Sequence, residues 1–260
     1  MKKLGPPELA STRPDFAVAD YEIQKQNRNG HWKHHSMERP VALIAGLLVM
    51  VALVSWLVGM IPKHRQSLRG TQVVRSILAD TGTPRAGALN ADVTIVEFSD
   101  YQCAPCKVGE RAFESVIARD GRIRVIYKDW PILGSESRAA ARIALAAARQ
   151  GKYLAAHQAF LQADVPLTDR NLRLLALKAG VDWPMLQVDL ARDANSIDRQ
   201  LSRHAFQAWS VGLQGPPGYL IGPYLMDGQL SESDLRGAIA AARHDRSDAA
   251  IRNDSPREAP

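Results

Sequence analysis

The sequence predicts an α/β domain that follows one long apolar helix. Three observations support this: an uncharged apolar run at residues 41–61, a β-branched segment at residues 93–98, and a helical pattern that begins at Cys103. Of the 260 residues, 46% are hydrophobic, which suffices for one buried domain with flanking segments. The net charge of +6 is scattered, with no basic run interleaved with aromatic side chains, so no nucleic-acid partner is expected.

Residues 41–61 predict a single membrane-spanning helix. A helix of this length covers about 30 Å, which matches the hydrocarbon core of a bilayer. A signal peptide would have a shorter lead than residues 1–40 and a small-residue cleavage site, which residues 59–62, GMIP, do not provide. A buried helix of a soluble protein is the other alternative. Basic residues balance on the two sides of the run, so charge does not set its orientation.

The predicted organisation has five parts. A polar, disordered cytoplasmic tail at residues 1–40 precedes the anchor at 41–61. A tether at residues 62–80 leads into the folded domain at 81–243, and residues 244–260 form a second disordered tail.

The folded domain is predicted to contain a strand–helix–strand unit. Residues 93–98 are rich in β-branched side chains and predict a buried strand, which a turn at residues 99–102 ends. The following helix has apolar side chains at helical spacing and stops near Gly121. Residues 122–127 alternate polar and apolar side chains and predict the second strand. Later helices have the predicted N-caps Thr168, Asp182 and Ser231.

The two cysteines, Cys103 and Cys106, lie in the first turn of this helix. Side chains three positions apart on a helix have Cβ atoms about 5–6 Å apart, close to disulfide distance. A disulfide in so short a loop adds little stability, so it is better suited to exchange. The helix N-terminus favours a thiolate. We therefore predict a redox-active pair in which Cys103 is the exposed attacking thiolate and Cys106 the shielded resolving thiol.

Metal binding and inert burial are the alternatives for this pair. A zinc site needs two further ligands, but there is no second C-x-x-C motif, and His157 and His204 are isolated on helical stretches. Copper delivery stays open, although no methionine or histidine is close in sequence to the cysteines. Two inert buried cysteines are the remaining alternative. The sequence predicts no metal site and no cofactor other than the Cys103–Cys106 disulfide.

Residues 96–107, VEFSDYQCAPCK, resemble the active-site signature of the DsbA-like thiol:disulfide oxidoreductases. Residues 128–134, KDWPILG, are similar to the segment that leaves the second strand in that family. The resemblance implies a thioredoxin-like fold with an inserted helical domain at about residues 134–205. It also implies thiol:disulfide oxidoreductase activity, whether oxidase, isomerase or reductase.

The resemblance extends to residues 215–222, GPPGYLIG, which are similar to the family's glycine–x–cis-proline segment. This implies a cis peptide bond before Pro217 and a loop in which Gly215 and Pro216 present backbone to the substrate. An ordinary Pro-Pro-Gly turn is the alternative. Glu97 matches the family's acidic residue beneath the cysteines, which implies proton transfer to the buried thiol. A solvated or salt-bridged glutamate is the alternative for Glu97.

Two departures from the family pattern leave the direction of electron transfer open. Ala104 and Pro105 between the cysteines are closer to the dipeptide of reducing thioredoxins than to the Pro-His of strong oxidants. The residue before the expected cis-proline is Pro216, where the family usually has Thr or Val. Both positions tune the redox potential.

The predicted protein is a single-pass protein of the cell inner membrane with its C-terminal domain in the periplasm, because stable disulfides belong to oxidising compartments. The expected partners are cysteine-containing extracytoplasmic substrate proteins and a membrane redox partner that recharges the pair. A non-catalytic membrane adaptor of an envelope or secretion assembly is an alternative of a different class.

Overall fold

The computed structural model describes residues 38–60, 65–68 and 70–254, and the chain divides into two units, residues 1–61 and 62–260. In the first unit, helix α1 (Glu38–Met60) covers most of the predicted anchor and begins inside the predicted tail. The rest of that tail lies outside the described residues. Among the described residues, no helix has both the length and the apolarity that crossing a membrane requires.

The second unit is an α/β domain. Its strands are β1 (Arg65–Ser67), β2 (Arg85–Gly87), β3 (Val93–Ser99), β4 (Ile123–Asp129), β5 (Gly218–Ile221) and β6 (Tyr224–Asp227). Its helices are α2 (Gln72–Ala79), α3 (Ala104–Arg119), α4 (Ser135–Ala147), α5 (Tyr153–Leu161), α6 (Asp169–Lys178), α7 (Trp183–Val211) and α8 (Glu232–Asp254). A short 3-10 helix, Ala148–Gln150, lies between α4 and α5.

The strands form one six-stranded sheet in the order β1-β6-β5-β3-β4-β2. Strands β3 and β4 are parallel, with Glu97 opposite Tyr127, and every other pairing in this sheet is antiparallel. Helix α3 is the crossover that a parallel pair requires, so the predicted strand–helix–strand unit is confirmed. Strand β3 lies between β5 and β4, which explains its nearly continuous apolar sequence.

The sheet separates two hydrophobic cores. Alternate side chains of β3 point to opposite faces: Ile95 belongs to one core, and Val96 and Phe98 to the other. Helices α3, α4, α5, α6 and α8 contribute to the first core, and α2 and the end of α7 to the second. A thioredoxin-like α/β fold with a helical insertion is thereby confirmed.

The insertion consists of α4 to α7 and is slightly longer than the predicted residues 134–205. Helix α7 is 29 residues long and ends only at Gly212, whose positive φ of 98° suits a C-terminal glycine. Leu186 near its start packs in the first core, whereas Val211 at its end packs in the second. The extra turns thus return the chain to β5.

Two predicted boundaries are wrong. Residues 62–80 are not simply a tether, because β1 pairs with β6 and α2 buries Val74 and Ile77 in the second core. A three-residue edge strand is too short to show the period of a strand in the sequence. At the other end, α8 continues to Asp254 through the predicted tail, since no helix-breaking residue interrupts it. The predicted N-caps Thr168, Asp182 and Ser231 are confirmed.

Candidate active site

Cys103 and Cys106 form a disulfide at the N-terminus of α3, with a Cα–Cα distance of 5.2 Å. Cys103 is the N-cap of the helix, and its sulfur accepts a hydrogen bond from the backbone N–H of Cys106 at 3.1 Å. Pro105 lies in the first turn, where its missing N–H costs no helical hydrogen bond. The backbone N–H of Cys106 is therefore positioned to stabilise the Cys103 thiolate after reduction.

Asp100 holds the turn that leads into the disulfide. Its buried carboxylate accepts hydrogen bonds from the backbone N–H groups of Gln102 (2.8 Å), Ile132 (2.8 Å) and Leu133 (3.0 Å). The hydroxyl of Ser137, at the start of α4, donates to the same carboxylate. One aspartate thus ties the segment before Cys103 to the segment that leaves β4, which fixes where α3 begins.

The loop before β5 approaches the disulfide from the other side. The Pro216–Pro217 peptide bond is cis, as the resemblance implied. The carbonyl oxygen of Pro216 lies 3.4 Å from the Cys103 sulfur. The carbonyl oxygen of Pro217 accepts a hydrogen bond from Gly228 N–H at 2.9 Å, which anchors the loop to the residue after β6.

The prediction that Cys103 is exposed is wrong. Cys103 is 3% exposed and Cys106 is 2% exposed, so both sulfurs are shielded in the disulfide form. The Pro216 carbonyl and the turn before α3 enclose Cys103, and the sequence shows neither contact. Ala104 and Pro105 are exposed, and Gly215 and Pro216 are partly exposed. These four residues form the rim of the disulfide, through which a substrate thiolate must approach.

Glu97 lies on β3 and is 2% exposed, so the alternative of a solvated glutamate is wrong. Burial, and then the neighbouring Glu110, Asp129 and Glu114, raise the pKa of Glu97 well above its usual range. Its Oε2 atom lies 4.0 Å from Nε2 of His157. The proton-transfer role implied for Glu97 stays a prediction.

Further polar residues lie near Glu97 on the same side of the sheet, among them Glu110, Asp129, His157 and Tyr101. Burial raises the pKa of Glu110 to about 8 and that of Asp129 to about 7, and lowers the pKa of His157 to about 3. The hydroxyl of Tyr101 donates to Oδ1 of Asp129 at 2.6 Å and lies 2.9 Å from Nδ1 of His157. His157 is therefore not isolated, contrary to the expectation from its position on a helical stretch.

Sequence reasoning identified the disulfide and the cis-proline loop but missed this polar cluster. A signal was present for Glu110, which follows Cys106 by four residues and therefore shares its helical face. His157 and Asp129 lie on separate elements, so no local pattern connects them. His204 contacts this region only through the backbone: its Nδ1 lies 3.2 Å from the carbonyl oxygen of Asp129, and its Nε2 lies 3.4 Å from the hydroxyl of Thr83.

The family model described as "DSBA-like thioredoxin domain" matches residues 94–240. A solved thioredoxin-like oxidoreductase from Silicibacter pomeroyi DSS-3 is 32% identical, with a TM-score of 0.62 over 65% of this chain and 96% of that chain. The thiol-disulfide exchange protein alpha-DsbA2 from Wolbachia pipientis is 29% identical, with a TM-score of 0.60 over 62% of this chain and 88% of that chain. The Cys103–Cys106 disulfide therefore lies in a fold that these oxidoreductases share.

The chain is also similar to part of a much longer protein that is named as an ion antiporter. The Na(+)/H(+) antiporter NhaA 1 of Mycolicibacterium vanbaalenii is 26% identical over 178 residues, which is 67% of this chain. The chain spans 28% of the length of that relative.

Proposed function

Because the chain belongs to the family of DSBA-like thioredoxin domains, we propose that it exchanges the Cys103–Cys106 disulfide with cysteine-containing proteins outside the cytoplasm. The domain is a thiol:disulfide oxidoreductase. The observation that carries the proposal is the position of the Cys103 sulfur, between a helix N-terminal N–H at 3.1 Å and the Pro216 carbonyl oxygen at 3.4 Å.

The exchange proceeds in two balanced steps. A substrate thiolate attacks the Cys103 sulfur, the bond between the two cysteines breaks, and Cys106 leaves as a thiolate that takes up a proton. A second substrate thiolate then attacks the substrate sulfur of the mixed disulfide and releases the Cys103 thiolate. The substrate gains a disulfide, and the pair has accepted two electrons. The Cys106 N–H makes Cys103 the better leaving group, because it stabilises the thiolate.

The rim around the disulfide is suited to an extended substrate segment. Gly215 and Pro216 are partly exposed and present backbone beside Cys103, while Ala104 and Pro105 form the opposite side. None of these four residues is charged, so they contact the backbone and the thiol of the substrate rather than its charged side chains. This supports the broad class of cysteine-containing proteins as substrates.

We extend the proposal to a single-pass anchor at residues 41–61 of the inner membrane, with the redox domain in the periplasm. The uncharged run of residues 41–61 supports this. A reporter fused after residue 260 tests it: periplasmic reporter activity is expected, and cytoplasmic activity would contradict the topology.

The direction of exchange has a second candidate. Ala104 and Pro105 favour a reductase or isomerase that uses the same cysteines. The reduction potential separates the two, because that of thioredoxin is about −270 mV and that of a strong oxidant is about −120 mV. An oxidant with a potential above that of its compartment also requires a membrane redox partner that withdraws two electrons.

Substrate trapping tests the exchange itself. In Cys106→Ala, the Cys103 thiolate attacks a substrate disulfide, one substrate sulfur leaves as a thiolate, and the resulting mixed disulfide lacks the Cys106 thiol that would resolve it. We therefore expect disulfide-linked substrates that disappear on reduction. The matched control is Cys103→Ala, which removes the sulfur that the Cys106 N–H contacts and should trap far less. Equal trapping by the two variants, or none by Cys106→Ala, would contradict the assigned roles. Full biological activity of a chain with both cysteines replaced by alanine would instead favour a non-catalytic adaptor.

A further inference from the structure

Three buried side chains from three elements point at one another in the first core. Glu97 on β3, Glu110 on α3 and His157 on α5 each offer one ligand atom, and these atoms all lie within 4.8 Å of one another. Their exposed fractions are 2%, 2% and 0%. Oε2 of Glu97, Oε2 of Glu110 and Nε2 of His157 have no hydrogen-bond partner among the described residues.

The surrounding hydrogen bonds determine the tautomer of His157, and therefore that the nitrogen facing the two carboxylates carries a lone pair. The hydroxyls of Tyr101 and Tyr153 donate their single protons to Oδ1 of Asp129, at 2.6 and 3.1 Å. The Tyr101 oxygen, 2.9 Å from Nδ1 of His157, is then an acceptor, so Nδ1 carries the ring proton. Nε2 is left with its lone pair, directed toward Glu97.

This arrangement is related to the one that metal-binding histidines use. Such a histidine donates its second ring N–H to a carboxylate, a backbone carbonyl or a water molecule, which fixes the ring and its tautomer. In this fold a tyrosine hydroxyl links the histidine to the carboxylate. Here the path is His157 Nδ1–H to Tyr101 and then to Asp129. The ligand atoms themselves are two carboxylate oxygens and one imidazole nitrogen, a set that suits divalent first-row transition metals.

The distances favour a bridging ion over direct contact. The Glu97 Oε2 to His157 Nε2 distance of 4.0 Å is too long for a hydrogen bond. Ligand atoms on one tetrahedral zinc lie about 3.3 Å apart, given bond lengths of about 2.0–2.1 Å. The three groups therefore need to draw together by about 1 Å around an ion. A dication also offsets the two carboxylate charges, which are costly to bury side by side.

We propose that Glu97, Glu110 and His157 bind one divalent transition-metal ion between β3, α3 and α5, with Tyr101 and Asp129 orienting the histidine. The site is distinct from the disulfide, and its existence does not depend on the direction of thiol exchange. Protons shared among the three groups, or a buried water molecule, are the competing occupants, and the experiment separates them from a metal.

The test uses the full chain with its disulfide oxidised and with His31, His34 and His35 replaced by glutamine, so that neither the thiols nor the tail binds metal. Because the site is buried, the EDTA-treated chain is refolded with Zn²⁺ and desalted, and its zinc content and Zn²⁺ affinity are measured. Refolding with Co²⁺ provides an absorption spectrum of the bound ion. We expect one equivalent of tightly held metal.

Variants locate the ion. Glu110→Gln and His157→Gln should each lose the one equivalent of bound metal. Asp129→Asn should weaken the Zn²⁺ affinity about 10–100-fold, because Asp129 orients His157. The matched control is His204→Gln, which removes an equally buried histidine. Its Nε2 faces Thr83 and its Nδ1 contacts the backbone of Asp129 rather than the carboxylate, so this variant should retain the ion. Circular dichroism checks each fold.

Either of two results overturns the proposal. One is a refolded chain that holds no zinc or cobalt above the level of an EDTA-treated sample, which would leave protons or water as the occupants. The other is a folded Glu110→Gln chain that still binds one equivalent. The first result is measured without any substitution of a ligand, so the proposal can be disproved even if a variant fails to fold.

Discussion

At the residue scale, the most unusual side chain away from the disulfide is Lys128 on β4. It is 0% exposed, and its Nζ donates to Asp80 at 2.7 Å and to Thr83 at 3.0 Å. The partly exposed Arg203 also contacts Asp80, at 3.0 Å. A buried charge of this kind depends on its partners, because an unpaired ion inside a protein is strongly destabilising.

Removing the buried cation should cost more stability than removing the exposed one. We expect Lys128→Met to lower the free energy of unfolding by about 3 kcal/mol, because Asp80 loses its buried partner. Arg203→Met should cost less than about 1 kcal/mol, since that side chain is partly solvated. Urea unfolding of both variants measures the difference. Similar losses of unfolding free energy would show that the burial of Lys128 does not determine its contribution to stability.

Asp80 also makes stability depend on pH. Burial would raise its pKa, but hydrogen bonds from Arg203 and Lys128 outweigh this and hold the pKa of Asp80 well below its usual range. A depressed pKa contributes stability above the unfolded value of about 3.9, and this is lost as pH falls through the folded value. The stability difference between the wild type and Asp80→Asn should therefore shrink from pH 5 towards pH 2. A constant difference would contradict this.

At the element scale, helix α8 is attached to the sheet by Arg243. Its guanidinium donates to Asp92 just before β3, at 3.0 and 2.8 Å, and to Asp120 just after α3, at 2.8 and 2.7 Å. Hydrogen bonds from Arg243 hold the pKa of both aspartates below their usual range. One side chain of α8 thus connects the start of β3 with the end of α3.

Truncating this connection should destabilise the domain more than truncating another arginine on the same helix. We expect Arg243→Ala to cost about 1–3 kcal/mol, because charge-assisted hydrogen bonds to two carboxylates are lost. Arg236→Ala, which removes only an exposed pair with Glu232, should cost less than about 0.5 kcal/mol. Thermal and urea unfolding measure the stability of both variants. Equal losses would mean that the Arg243 contacts add nothing to the stability of the domain.

At the scale of the whole molecule, the redox state of the disulfide is coupled to the stability of the fold. If the domain acts as an oxidant, its reduced form is the more stable one, since the Cys103 thiolate gains the helix N-terminus. Each 30 mV of potential corresponds to about 1.4 kcal/mol for a two-electron couple.

We therefore expect the reduced protein to unfold at a higher urea concentration than the oxidised protein. The control is the Cys103→Ala, Cys106→Ala double variant, whose stability should not respond to reductant. A more stable oxidised form would instead assign the domain to the reductase class, in agreement with Ala104 and Pro105.

Local patterns account for much of the fold. The β-branched residues of β3, the C-x-x-C motif at the start of α3, and the caps Thr168 and Asp182 act over a few residues, so each can be read from neighbouring positions. The cis bond before Pro217 came from family resemblance rather than from any local pattern. The location of the insertion also came from family resemblance, whereas the caps Thr168 and Asp182 indicated the starts of its last two helices.

The amino-acid sequence by itself determined the strand–helix–strand unit, the position of the redox pair and the helical character of the insertion, because these depend on short-range periodicity and on residue chemistry. Only the tertiary structure decided that Cys103 is enclosed by Pro216, that β1 completes the sheet, and that His157 meets Glu97 and Glu110. These contacts join residues far apart in the chain, and their geometry arises from packing two layers of helices on one sheet, which no local pattern encodes.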